Sequence, residues 1–328
     1  MASEQLRNAA SWIGKLELMW PDWEKESYPE VRDLALIPLF AIFFPTLRFF
    51  LDKFVFEVVG KRCINEKNAN FKKGALKADF DRAQKKLTKF KESAWKCLYF
   101  FSAEVFVLAI TYNEPWFTDS KMFWVGPAEQ QWPHLMTRLK LKVLYGFAGG
   151  FYSYSIFALI FWETRRSDFG VSMSHHIVSV FLIVFSYLAR FARVGSVVLA
   201  IHDASDVFLE IGKLTKYYGL EIVPSIAFVL FALQWVVLRL IYFPFHVIWS
   251  TSYEVLEVLD TGSYKQGLVL YYIFNTLLIT LFVMHIYWWI LIFRMLVKQV
   301  AARGRVSDDV RSDDDDDDDD DEDTGKED

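Results

Sequence analysis

Cysteine is scarce in this chain of 328 residues: there are two, Cys63 and Cys97. No Asn-x-Ser/Thr sequon occurs anywhere. Together these exclude a disulfide scaffold and give no sign of a glycosylated ectodomain. The first 33 residues are polar and charged and lack the apolar core of a secretory signal, so no cleavable leader is expected and insertion must rely on internal spans. Histidine is also sparse, six in all, and only His175 and His176 are adjacent. No internal repeat at a solenoid period is visible, and nothing points to a nucleic-acid partner.

What the chain has in excess is apolar surface. It is 53% hydrophobic and 18% aromatic, against roughly 45–50% apolar for an ordinary soluble domain. The excess sits in long charge-free runs, at residues 143–162, 222–238 (continuing past Arg239 to 253) and 267–293. A run of about 18 apolar residues crosses the roughly 30 Å hydrocarbon core as a helix. The pattern predicts an all-α polytopic membrane protein with seven spans, near residues 34–56, 97–112, 143–162, 175–190, 194–212, 222–246 and 267–294. The first contains Pro38, Pro45 and Arg48 and is expected to be kinked or short. The fifth is polar, which is tolerable only if its polar face looks into the protein.

Charge placement orients these spans. The loop at residues 61–96 is rich in lysine and arginine, as are the Arg165–Arg166 turn and residues 294–311. The positive-inside rule assigns all three to the cytosol. Seven spans with a luminal N-terminus satisfy all three at once; an even count would not. The formal net charge of −5 comes from an acidic run at 313–323, without which the chain is net basic. The organisation expected is a polar luminal segment (1–33), a first span (34–60), a basic cytosolic loop (61–96), a membrane domain (89–303) and a disordered acidic cytosolic tail (304–328). Ser312, followed by acid at +3, fits an acidophilic kinase site. Trp116, Trp124 and Trp132, between spans two and three, suit an interfacial belt.

The chemistry-bearing residues fall in spans four and five. His175 and His176 open the fourth span. The fifth carries His202, Asp203, Asp206 and Glu210, whose carboxylates are spaced i, i+3, i+7 and so share one helical face. Ionisable groups within a membrane are costly and mark function by default. A short linker makes the two spans antiparallel neighbours, bringing the groups into one cavity. His246 and His285, each alone in a span, are read as hydrogen-bonded structural residues, and His134 as a loop residue. Di-iron oxidation needs several histidine boxes and is rejected. A zinc hydrolase using two histidines and an aspartate stays open. Acyl transfer is the third chemistry: a neutral imidazole can attack a thioester, or deprotonate an amine whose pKa is about 10. A proton or ion transporter would use the same residue types.

The run at 162–213, WETRRSDFGVSMSHHIVSVFLIVFSYLARFARVGSVVLAIHDASDVFLEIGK, resembles the Lag motif of the longevity-assurance, or ceramide synthase, family within the TLC-domain superfamily. The resemblance extends to NEPWF (113–117), KFKESAWK (89–96), WVVLRLIYFP (235–244) and 271–298, and covers most of residues 30–312. There is no homeobox-like insert, and the pattern is similar to that of plant members. The resemblance implies a helical bundle around a central lipid and acyl cavity in the endoplasmic reticulum membrane. The implied activity is transfer of a fatty acyl group from acyl-CoA, a co-substrate, to the amine of a sphingoid base, with no cofactor and no metal. The family's catalytic residues map onto His175, His176, Asp203 and Asp206. Arg165, Arg166, His202 and Glu210 are candidate substrate or CoA contacts, and a homodimer is compatible with the family. Similarity to one plant group favours very-long-chain acyl-CoA, with chain length influenced near residues 250–266. Other TLC-domain proteins resemble translocon-associated or lipid-sensing factors, and these generally lack the histidine pair.

Overall fold

The computed structural model describes residues 21–67, 77–126, 130–220, 222–258 and 265–301. Ser312 and the acidic run at 313–323 lie outside them. Among the described residues the chain forms long helices joined by short turns, with one two-stranded pairing at an end.

α1 (Leu36–Leu51) passes through wider, π-type turns (Asp52–Phe56) into α2 (Glu57–Lys67), which makes one continuous rod. α3 (Lys77–Thr111), α4 (Leu139–Phe161), α5 (Phe169–Leu188) and α6 (Ala192–Tyr217) follow. α7 (Ile222–Gln234) runs on through a second π-type stretch (Trp235–Ile248), and α8 (Lys265–Ala301) closes the bundle. Six of these rods are long and apolar enough to cross a membrane. The exception is α6, the polar fifth span of the sequence reading. It packs along α3, α7 and the second π-type stretch, and also touches α4 and α5. Its charged and polar positions from Arg193 to Glu210 are therefore largely buried in protein, which is the condition that makes a polar span tolerable.

The first rod is neither short nor broken at its prolines. Pro38 lies in the first turn of α1, where a helix needs no N–H donor. Pro45 is inside α1, and the helix continues past it. Polar Arg48 is buried because Tyr154 on α4 accepts its Nη1 at 2.7 Å, while Asp52 (3.9 Å) and Glu163 (3.7 Å) balance its charge. α1 and α4 meet almost backbone to backbone. The contact is made by Gly146 and Gly150, spaced as in the small-xxx-small pattern of membrane helices. A Cβ on Gly150 would collide with the Cβ of Phe40 and stand 3.0 Å from Ala41 N and Ile37 O.

The ends of the bundle differ. At one, the strand β1 (Glu26–Ser27) pairs antiparallel with β2 (Thr137–Arg138), and Asp33 accepts hydrogen bonds from Lys142 (2.7 Å) and Tyr187 (2.5 Å). The tryptophans read as an interfacial belt are instead buried here. Their indole N–H groups bond Ser196 Oγ (Trp116, 3.2 Å), Ser250 Oγ (Trp124, 2.9 Å) and the Ala189 carbonyl (Trp132, 2.8 Å). A buried indole needs such a partner, and the sequence alone does not show that the helix ends supply three. At the other end Lys96 sits between Glu92 (3.0 Å) and Glu163 (2.7 Å), and Arg166 pairs with Glu92 at 2.9 Å.

Candidate functional site

α5 and α6 bring the sequence-predicted residues together one to two turns below this charged end. The His175 ring lies parallel to that of His202, 5.3 Å between centroids, and edge-on to Trp288 of α8, also at 5.3 Å. His176 projects to the other side, as adjacent helical positions must, and its ring stands 5.6 Å from that of Tyr152 on α4. His175 is buried and His176 half-buried. The Nδ1 atoms of both have no hydrogen-bond partner among the described residues.

The carboxylates divide. Tyr152 donates its hydroxyl to Asp203 Oδ1 at 2.9 Å. Asp206 accepts Arg239 Nη2 at 2.6 Å, and the same nitrogen reaches the His202 carbonyl. The Arg239 guanidinium carbon lies over Trp235, 3.9 Å from the ring centre. Glu210, a turn further on, pairs with Lys213 at 2.8 Å. One face of α6 thus carries three carboxylates with three separate partners, and only Asp203 and Asp206 belong to the histidine cluster. Arg165 stacks over Phe169 at 4.4 Å, and Arg166 is held by Glu92. Both stand at the charged end, next to the opening of α5. Among the described residues, no group of three His, Cys, Asp or Glu side chains could hold a metal ion.

Three residues joined to the cluster were not in the sequence-level set. Tyr152 gives no sequence signal, being one of 15 tyrosines. Arg239 did give one: it is the lone charge in the apolar run at 222–253, and an intramembrane charge needs a partner. His285, read as structural, brings Nε2 to within 3.4 Å of His202 Nε2. His246 packs 4.5 Å from Tyr242 and 5.8 Å from Phe123, but its buried Nε2 has no hydrogen-bond partner among the described residues, so the hydrogen bond expected of it is not seen there.

Below the cluster, toward the tryptophan-rich end, runs a chamber lined mainly by apolar side chains. Tyr152 and His202 line its upper part, and Val255, Tyr271, Phe274 and Asn275 its far part. Polar groups meet at that far part: Asn275 Oδ1 accepts the hydroxyls of Thr251 (2.9 Å) and Ser252 (3.0 Å). A titratable cluster opening onto an apolar chamber between membrane helices suits a reaction on the polar end of a long-chain substrate.

The sequence matches the TLC-domain family over residues 89–294. It is 61% identical to an ASC1-like protein of Solanum lycopersicum over 92% of this chain and 98% of that one. It is 59% identical to ceramide synthase LOH1 and 58% identical to ceramide synthase 1 LOH3 of Arabidopsis thaliana, in each case over 89% of this chain and 94% of the relative. The chain therefore belongs to the TLC-domain family and groups within it with the ceramide synthases.

Proposed function

We propose that this protein is a ceramide synthase that moves a fatty acyl group from acyl-CoA to the amine of a sphingoid base, with His175, His176, Asp203 and Asp206 as the reacting set. The observation that carries the reading is the position of the histidine pair. It stands between the charged end, where Arg165 and Arg166 could meet CoA phosphates, and an apolar chamber that its neighbours Tyr152 and His202 line and that suits hydrocarbon tails. The ceramide synthase names of close relatives support it independently.

The geometry favours different work for the two rings. His175 is wedged between His202 and Trp288, whereas His176 is half-buried beside Tyr152 and freer to meet a substrate. In the scheme we favour, His176 attacks the thioester carbonyl and the CoA thiolate leaves. The amine then attacks the acyl-imidazole, and the amide forms as the C–N bond to imidazole breaks. The protons released by the amine pass to the neighbouring bases and, in the end, to the thiolate and solvent. Asp203, held by Tyr152, and Asp206, held by Arg239, stand beside these steps. Arg165 and Arg166 mark the entry side, which we assign to the cytosolic face of the endoplasmic reticulum membrane. Very-long-chain acyl-CoA is the preferred donor on the resemblance to plant members, and products from a mixed acyl-CoA pool measure that preference.

The test is ceramide formation in microsomes carrying His175→Ala, His176→Ala, Asp203→Asn or Asp206→Ala. Each is expected to fall to background at unchanged protein level, and full activity in all four would sink the site. Incubation with acyl-CoA alone, followed by mass analysis, should find added acyl mass on the peptide bearing His176. Active enzyme without an adduct would mean direct transfer, with histidine acting only as base.

A further inference from the structure

The His285 ring is fully buried, in the middle of α8. Its neighbours are the rings of Phe243 (5.3 Å), Trp235 (5.9 Å) and His202 (4.8 Å). Its backbone carbonyl accepts Trp235 Nε1 at 3.2 Å. Arg239 also lies close to it, but the rings around it call only for volume, which phenylalanine supplies without burying polar atoms. An imidazole here therefore calls for a chemical reason, and the 3.4 Å approach of its Nε2 to His202 Nε2 supplies one.

Two neutral imidazoles meeting nitrogen to nitrogen must hold opposite tautomers at the contact, since one donates and the other accepts. Such a bond fixes the plane of His202. That plane is the one against which His175 lies, with only 5° between the rings. The His202 backbone is held as well, because Arg239 bonds its carbonyl while pairing with Asp206. Three histidines from three helices thus form a row, His285–His202–His175, ending at the proposed reacting pair.

We propose that His285 is a positioning residue for acyl transfer: it orients the His202 ring and, through it, His175. The inference rests on the ceramide synthase reading. Its test uses the full-length protein in membranes, with kcat and KM measured for acyl-CoA and sphingoid base. His285→Gln places an amide nitrogen near where Nε2 stands, whereas in His285→Asn the amide ends near Nδ1. His285→Phe keeps the volume and removes both nitrogens. Loss of a buried hydrogen bond predicts a kcat for His285→Phe about tenfold or more below wild type, with KM within about twofold. Gln should recover most of this and Asn little. The double variant His202→Phe/His285→Phe should be no slower than His202→Phe alone, because both act through one contact.

Wild-type kcat in His285→Phe would overturn the proposal, as would losses that multiply in the double variant. Should the Phe variant not fold, equal kcat for Gln and Asn would overturn it as well. A role in packing alone predicts lost protein with kcat per folded molecule unchanged. If the wild-type protein forms no ceramide, the function reading fails and this inference falls with it. If the wild type is active and the variants match it, only this inference fails.

Discussion

Tyr152 reaches Asp203 from a neighbouring helix, and that bond is the most exposed to test at the scale of single residues. A hydrogen bond to a charged group is worth about 1.5–3 kcal/mol, or roughly a 10- to 100-fold change in rate if it acts in the transition state. Tyr152→Phe keeps the ring beside His176 and removes only the hydroxyl. We expect kcat to fall by roughly that factor with folded protein unchanged, measured as ceramide formed per solubilised enzyme. An unaltered kcat would show that Asp203 does not depend on this contact. The residue scale also shows what a sequence can and cannot carry. His175, His176, Asp203 and Asp206 were legible because ionisable groups within apolar runs are costly and rare. Their partners Tyr152, Arg239 and His285 lie on other helices. Which of 15 tyrosines or six histidines faces α6 depends on helix rotation and register, and those are set only by packing.

At the scale of elements, the apolar runs predict the rods well because length and composition alone decide what can cross a bilayer. Side-chain roles at the rod ends are harder to read. Trp116, Trp124 and Trp132 have the composition of an interfacial belt, yet each indole is turned inward to a specific acceptor. The α1–α4 contact, by contrast, is written in the chain as Gly146-x-x-x-Gly150. Gly150→Ala would drive a methyl group into Phe40 and into the backbone of α1, neither of which can yield cheaply. Overpacking of this kind costs about 1–3 kcal/mol, so the thermal midpoint of the solubilised protein should drop by several degrees. Gly170→Ala is the control, because no atom lies within 4 Å of the added carbon and the midpoint should not fall. Equal midpoints for the two variants would mean that α1 is not held against α4 by this close approach.

For the whole molecule, the open count is the number of crossings. Six helices qualify by length and composition, and α6 makes a seventh only if it spans despite its polarity. The two counts make opposite statements about the termini: seven crossings separate them, and six place them on one side. The packing argues for seven. α6 runs from Arg193, bonded to the Met122 and Val125 carbonyls at the tryptophan-rich end, to Lys213 and Tyr217. There the Tyr217 ring meets that of Phe90 on α3, two residues before Glu92 of the opposite, charged end. Gln299 near the end of α8 reaches the Ser225 carbonyl at the start of α7 (3.5 Å), so the close of α8 lies where α7 begins, just past the end of α6. If that charged end is the cytosolic one, as its lysines and arginines suggest, a tag after residue 328 of sealed microsomal protein should be cleaved by added protease. A tag before residue 1 should survive until detergent is added. Cleavage of both tags in sealed vesicles would mean an even number of crossings. α6 would then be a helix buried within the bundle that does not cross the membrane, and Asp203 and Asp206 would have to reach the histidines without traversing it.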